Sequence, residues 1–185
     1  IGKRTQELAE KNEALYHTSV TDHLTGIFNR MYLMEALKRE FSSSRRHGHP
    51  LSCAIMDIDK FKNFNDAHGH LTGDFVLRET AEVIQSLLRE QDVFGRYGGE
   101  EFVIVCPDTD LDAAVRRAER LRQTIMKSSI GGISTLSVTS SFGVSTARSG
   151  DTVKSLLERA DDCLYNAKAA GRNRTCRESE LDQGS

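Results

Sequence analysis

Apolar and polar positions change their period several times along this chain, and each change predicts an element. Over residues 1–18, IGKRTQELAEKNEALYHT, Ile1, Leu8 and Leu15 recur at seven among charged helix formers. That spacing gives half of a coiled-coil seam, while the other half, Thr5, Asn12 and Ser19, is polar. A helix is therefore expected here, serving as a linker to an upstream domain. Gly26, within SVTDHLTGIFNR, breaks it, and Asn29 can cap the next helix. RMYLMEALKREFSSSRRH, 30–47, repeats its apolar residues at helical spacing before a polar loop, SSSRRHGHP.

LSCAIMDID, 51–59, is a nearly continuous apolar run ending in carboxylates, the pattern of a strand buried on both faces. FKNFNDAHGHLTGD is polar with two glycines and predicts at most a short helix and a turn, whereas FVLRETAEVIQSLLRE, 75–90, is an amphipathic helix. DVFGRY and EFVIVCP flank Gly98 and Gly99, which predicts a two-residue hairpin turn. Glu100 and Glu101 then open the second strand on opposite faces. LDAAVRRAERLRQTIMKSS, 111–129, reads as a helix, STLSVTSSFGVSTA as a strand, and VKSLLERADDCLYNAKAAG as a last helix stopped by Gly171. The core order is β, α, β, β, α, β, then α. That order predicts an α+β fold, a ferredoxin-like sheet containing antiparallel strands, flanked by helices and preceded by the N-terminal helix.

Composition narrows the class. The 185 residues are 38% hydrophobic and 28% charged, so a core of ordinary size is available. A formal net charge of -2 supplies no basic field for nucleic acid or an acidic membrane surface. No apolar run reaches membrane-spanning length and no signal peptide is present, so a cytoplasmic fragment is expected, opening on Ile1 and with any anchor upstream. Cys53, Cys106, Cys163 and Cys176 lack metal-site spacing; three lie in apolar runs, where reduced thiols pack as small hydrophobes.

The chemistry concentrates in two places. Asp57 and Asp59 are two apart near the end of one strand, so they share a face, and such a pair needs a cation unless it caps the next helix. A hairpin pairing beside this strand would bring one of Glu100 and Glu101 to it, giving an open oxygen site suited to Mg²⁺ held with substrate phosphates. Lys62, Asn65, His70 and Asp74 crowd one short connection, with Gly69 and Gly73 allowing a ligand close to the backbone. An Asn and a carboxylate can read guanine, whose two adjacent N–H donors adenine lacks. Lys168, Arg172 and Arg174 gather at the end of the last helix, where they either answer its dipole or bind phosphate.

Four blocks, TDHLTGIFNR, MDIDKFKNFNDAHGHLTGD, GRYGGEEF and ADDCLYNAKAAGRNR, in this order and spacing over residues 21–177, resemble the GGDEF-domain diguanylate cyclases in the GGEEF variant. The resemblance implies a palm-type, nucleotide-cyclase-like sheet, with residues 1–20 as a helical linker, 21–177 as the catalytic domain and 178–185 as a tail. It implies condensation of two GTP into cyclic di-GMP and two pyrophosphates by a homodimer, with Mg²⁺, or Mn²⁺ in its place, and an upstream sensory or regulatory domain. Asp57, the Ile58 carbonyl and Glu100 resemble the metal ligands; Glu100 or Glu101 takes the 3′-hydroxyl proton, and Lys62 steadies transition-state charge. Asn65, Asp74, His70, Phe61, Gly98 and Gly99 resemble the GTP site, with Lys168 and Arg172 on the terminal phosphates. Arg89 and Asp92 of REQD, with Arg120, resemble a site at which product binds and inhibits. The alternative is a catalytically silent receptor for cyclic di-GMP, against which the metal-binding residues argue.

Overall fold

The computed structural model describes residues 2–129 and 136–178. Helix α1 (Gly2–Val20) leads into α2 (Arg30–His47), β1 (Leu51–Ile58), α3 (Phe61–His68), α4 (His70–Leu87) and the hairpin β2 (Val93–Arg96) and β3 (Glu101–Pro107). α5 (Leu111–Lys127), β4 (Ser140–Thr146), α6 (Val153–Ala169) and β5 (Thr175–Arg177) complete it. The sheet order is β2-β3-β1-β4-β5. β1 lies antiparallel to β3 and β4, and β5 alone joins in parallel, on β4.

The apolar run of β1 has its cause in this arrangement. All eight of its residues are buried, because helices cover both faces. Ala54, Met56 and Ile58 point into a core with α3, α4 and α5, while Cys53 and Ile55 point into another with α2 and α6. Ile55, Met56 and Ile58 each contribute roughly 1.5–3 kcal/mol by leaving water. α6 packs so closely on β4 that a Cβ at Gly143 would lie 2.0 Å from the Ala160 carbonyl oxygen.

Several expectations are corrected. α4 starts at His70, not Phe75: Gly69, at φ 84, turns the chain between α3 and α4, and the next helix begins at once. Gly73 sits inside that helix because the Asn65 side chain lies where its Cβ would be, 1.7 Å from Asn65 Oδ1. The hairpin tip is three residues, Gly98, Gly99 and Glu100, since the Glu101 carbonyl accepts from Tyr97 N–H at 2.8 Å and from Gly98 N–H at 3.2 Å. β4 begins at Ser140; residues 134 and 135 of the expected strand lie outside those described. β5 is an additional strand, too short for its alternation to be read in sequence. Leu8 and Leu15 of α1 are 63% and 68% exposed, and Ile1 lies outside the described residues. Cys53, Cys106 and Cys163 are buried, and all four thiols are free. Among the described residues no helix is long and apolar enough to cross a membrane.

Candidate active site

The end of β1 delivers Asp57 beside the hairpin tip. It pairs with Glu101 of β3 on one side and Ser141 of β4 on the other, and is 7% exposed. Lys168, in the last turn of α6, donates to Asp57 Oδ2 at 2.8 Å. Burial pushes the Asp57 carboxyl up to about 6, against the pull of Lys168, and the nearby carboxylates of Glu100 and Glu101 push in the same direction as burial. Ile58 N–H donates to the Glu100 carbonyl at 3.3 Å, so the Ile58 backbone stands at the end of the β1–β3 ladder. Three carboxylates with one ammonium leave the cluster short of positive charge, a deficit that a divalent cation would answer, although among the described residues no three acidic, His or Cys side chains stand together as a ready metal site.

Asp59 has a different job. Its carboxylate accepts from Thr139 Oγ1 at 2.7 Å, Ser141 Oγ at 2.7 Å and Asn173 N–H at 3.0 Å. It therefore ties the end of β1 to β4 and to the turn after α6. Neither aspartate caps α3, whose first turn follows Lys60 at φ 53 with no side-chain cap.

The hairpin tip is held by Arg96. Its Nε donates to the Gly98 and Gly99 carbonyls at 3.2 and 3.1 Å, its Nη2 to Gly99 at 2.7 Å, and its Nη1 to Asp22 Oδ1 at 3.1 Å. A Cβ at Gly99 would meet nothing within 4 Å, which leaves open space in front of the tip.

The α3–α4 corner carries the guanine candidates. Asn65 Oδ1 is buried without a hydrogen-bond partner, tucked against Gly73 of α4. Asp74, one turn into α4, is half-buried, while Lys62 and His70 are exposed at the starts of their helices. Phe61 is only 7% exposed, packs in the core and stacks on Phe64 with ring centroids 6.5 Å apart. A cleft of about 440 Å³ opens between α3 and the α6–β5 turn, lined by Asn63, Phe64 and Arg172 among others. Arg172 and Asn173 adopt left-handed backbone at φ 61 and 46. That costly conformation is held by Arg172 N–H on the Ala167 carbonyl at 2.9 Å, by Asp59, and by Arg122 Nη1 on Asn173 Oδ1 at 2.6 Å.

A family model described as "Diguanylate cyclase, GGDEF domain" matches residues 19–174. The chain belongs to the GGDEF-domain family of diguanylate cyclases. The response regulator PleD of Caulobacter vibrioides is 48% identical over 159 residues, covering 84% of this chain and 35% of PleD. The chain thus spans about a third of that relative's length. Among solved structures, the coiled coil and GGDEF domain of DgcB from Caulobacter crescentus, in complex with c-di-GMP, superposes with a TM-score of 0.89 at 31% identity, covering 96% of this chain and 95% of that one. SiaD of Pseudomonas aeruginosa, described as a diguanylate cyclase in complex with its activator SiaC, gives 0.85 at 40% identity over 96% of this chain and 68% of that one.

In this GGDEF domain the REQD stretch forms the turn into β2. Arg89 is exposed, but the Asp92 side chain is 0% exposed and both its oxygens accept from Arg117 Nη1, at 2.8 and 2.9 Å. Asp92 Oδ2 also accepts Arg89 N–H at 2.9 Å, which shapes the turn into β2. Arg120, expected to complete the site, is exposed one turn further along α5. Sequence reasoning missed Arg117 and Arg96. Arg117 lies three before Arg120 on one helical face, a spacing that could have raised it as a partner.

Proposed function

We propose that this domain is an active diguanylate cyclase, joining two GTP into cyclic di-GMP with release of two pyrophosphates. The observation that carries the proposal is the buried Asp57 carboxylate, crowded by Glu100 and Glu101 and, among the described residues, answered by Lys168, with the unpartnered Asn65 Oδ1 eight residues further along the chain. A bound Mg²⁺, or Mn²⁺, would supply positive charge on the triphosphate and at the reacting α-phosphate. Asp57, Glu100 and the Ile58 carbonyl are the residues that would hold it.

The chain's own groups account for the rest. Asn65 and Asp74 accept the N–H edge of guanine, and His70 borders the base. Lys168 and Arg172 hold the terminal phosphates; Lys168 trades part of its contact with Asp57 for them. Lys62, exposed on the first turn of α3, steadies charge on the leaving pyrophosphate. A 3′-hydroxyl of one GTP attacks the α-phosphorus of the other, its proton passing to Glu100 or Glu101, and pyrophosphate departs; the second such step closes the ring. One domain holds one set of these residues, so two copies must face each other as a homodimer. α1 attaches the domain to an upstream regulatory unit, and the working compartment is the cytoplasm. Product feeds back through the exposed Arg89 and Arg120, with Asp92 holding the turn that carries Arg89.

Incubation with GTP and Mg²⁺, with products separated and identified, tests the reading. Cyclic di-GMP and pyrophosphate in a one-to-two ratio are expected from the native protein and neither from Glu100→Gln. A native protein that binds cyclic di-GMP yet forms none as a forced dimer would leave the receptor reading in its place.

A further inference from the structure

Arg96, the last residue of β2, divides one rigid plane between two distant parts of the chain. Nε and Nη2 hold the Gly98 and Gly99 carbonyls, the two immediately before Glu100. Nη1 holds both carboxylate oxygens of Asp22, at 3.1 and 3.3 Å. A guanidinium is planar and cannot flex between its nitrogens, so a shift of Asp22 tilts the edge that grips the loop. The pair is well enclosed, with side-chain exposures of 18% and 22%.

Asp22 is itself fixed within the turn that follows α1, and Asn29 of that turn ties it back to the helix end. Asp22 Oδ1 accepts Thr25 N–H at 3.0 Å and the Thr25 hydroxyl at 2.7 Å, and its own N–H donates to the Ile27 carbonyl at 2.7 Å. Asn29 closes the same turn onto the helix, donating from its N–H to Val20 and from Nδ2 to Ser19, both at 2.8 Å. Phe28 then joins β2: its carbonyl accepts Arg96 N–H at 2.9 Å, and a Cβ at Gly95 would press on it at 3.0 Å. By contrast, every residue of α1 from Gly2 to Tyr16 is exposed, so the helix meets the domain through its last turn.

We propose that Arg96 is a positioning residue that sets the Gly98–Gly99–Glu100 loop, and that its pairing with Asp22 makes the loop follow the rotation of α1. The consequence for turnover rests on the cyclase reading. The device explains how a signal arriving along a standing helix reaches a carboxylate at the tip of a hairpin without moving the core. Arg96→Lys keeps the charge but loses the fork, and Asp22→Asn keeps the shape but weakens the tie.

The test uses amide hydrogen exchange at residues 98–100, which needs no turnover. A parallel dimeric coiled coil is fused ahead of Gly2 in two registers, giving α1 two rotations. The native sequence should exchange at different rates in the two fusions, by about tenfold; Asp22→Asn should exchange fast and alike in both, as should Arg96→Lys, with β1 and α4 protection unchanged. In the active fusion Arg96→Lys should lower kcat about tenfold while KM for GTP changes little. Equal exchange in the two native fusions, or a register difference that survives in Asp22→Asn, overturns the coupling. A native fusion without turnover sinks the cyclase reading, while the exchange rates still judge Arg96.

Discussion

Replacing Asp57 with Asn should make the metal-free protein more stable at neutral pH while removing its activity. The carboxyl stands at about 6 in the fold against an ordinary value of 3.8, chiefly through burial. Because the folded value is the higher one, its contribution to stability is full below 3.8 and is lost as pH rises through about 6. Two pKa units correspond to about 3 kcal/mol. Lys168 keeps a neutral acceptor in the amide but loses a charged one, and the pocket's edge is wetted, so the net gain left to Asp57→Asn at pH 7.5 is about 1 kcal/mol. Urea unfolding in EDTA at pH 4.5 and pH 7.5 measures it: the native protein should weaken between the two relative to Asp57→Asn. Adding Mg²⁺ with GTP should then stabilise the native protein and leave the variant behind. An Asp57→Asn protein that is less stable than the native one at pH 7.5 in EDTA would show that Lys168 already compensates the charge and that the cluster has no deficit for a cation to fill.

Asp74→Ser removes a charged acceptor for two guanine donors, and preference for GTP over ATP in a competition assay should fall by about 1–3 kcal/mol, or roughly fivefold to 150-fold; an undiminished preference would place base recognition elsewhere. Arg117→Ala strands the buried Asp92 carboxylate and should cost about 3–5 kcal/mol in urea unfolding. Arg120→Ala, on the surface, should stay within about 0.5 kcal/mol but weaken inhibition by cyclic di-GMP. Gly143→Ala forces a Cβ into the α6 backbone at 2.0 Å and should cost about 3 kcal/mol or more, lowering the unfolding midpoint sharply.

Much of this domain is decided locally and could be read from its residues alone. β1 declares itself by an unbroken apolar run, α2, α5 and α6 by helical spacing, and the hairpin by two glycines between strand-like runs. The blocks around Asp57, Asn65, Glu100 and Lys168 carry the resemblance to the family that the whole domain matches. Other features depend on which groups meet across the fold. Asp57 and Asp59 look alike in sequence, yet Lys168 arrives at one while Thr139, Ser141 and Asn173 saturate the other. Arg117 rather than Arg120 reaches Asp92, because rotation about α5 aims it inward. Gly69 starts α4 early by taking a backbone angle that a polar stretch does not announce, and β5 exists only because β4 offers an edge to pair with. Spacing along a chain sets periodicity and face; which partner satisfies a buried charge is set by distances between segments far apart in sequence, and these exist only once the chain is folded.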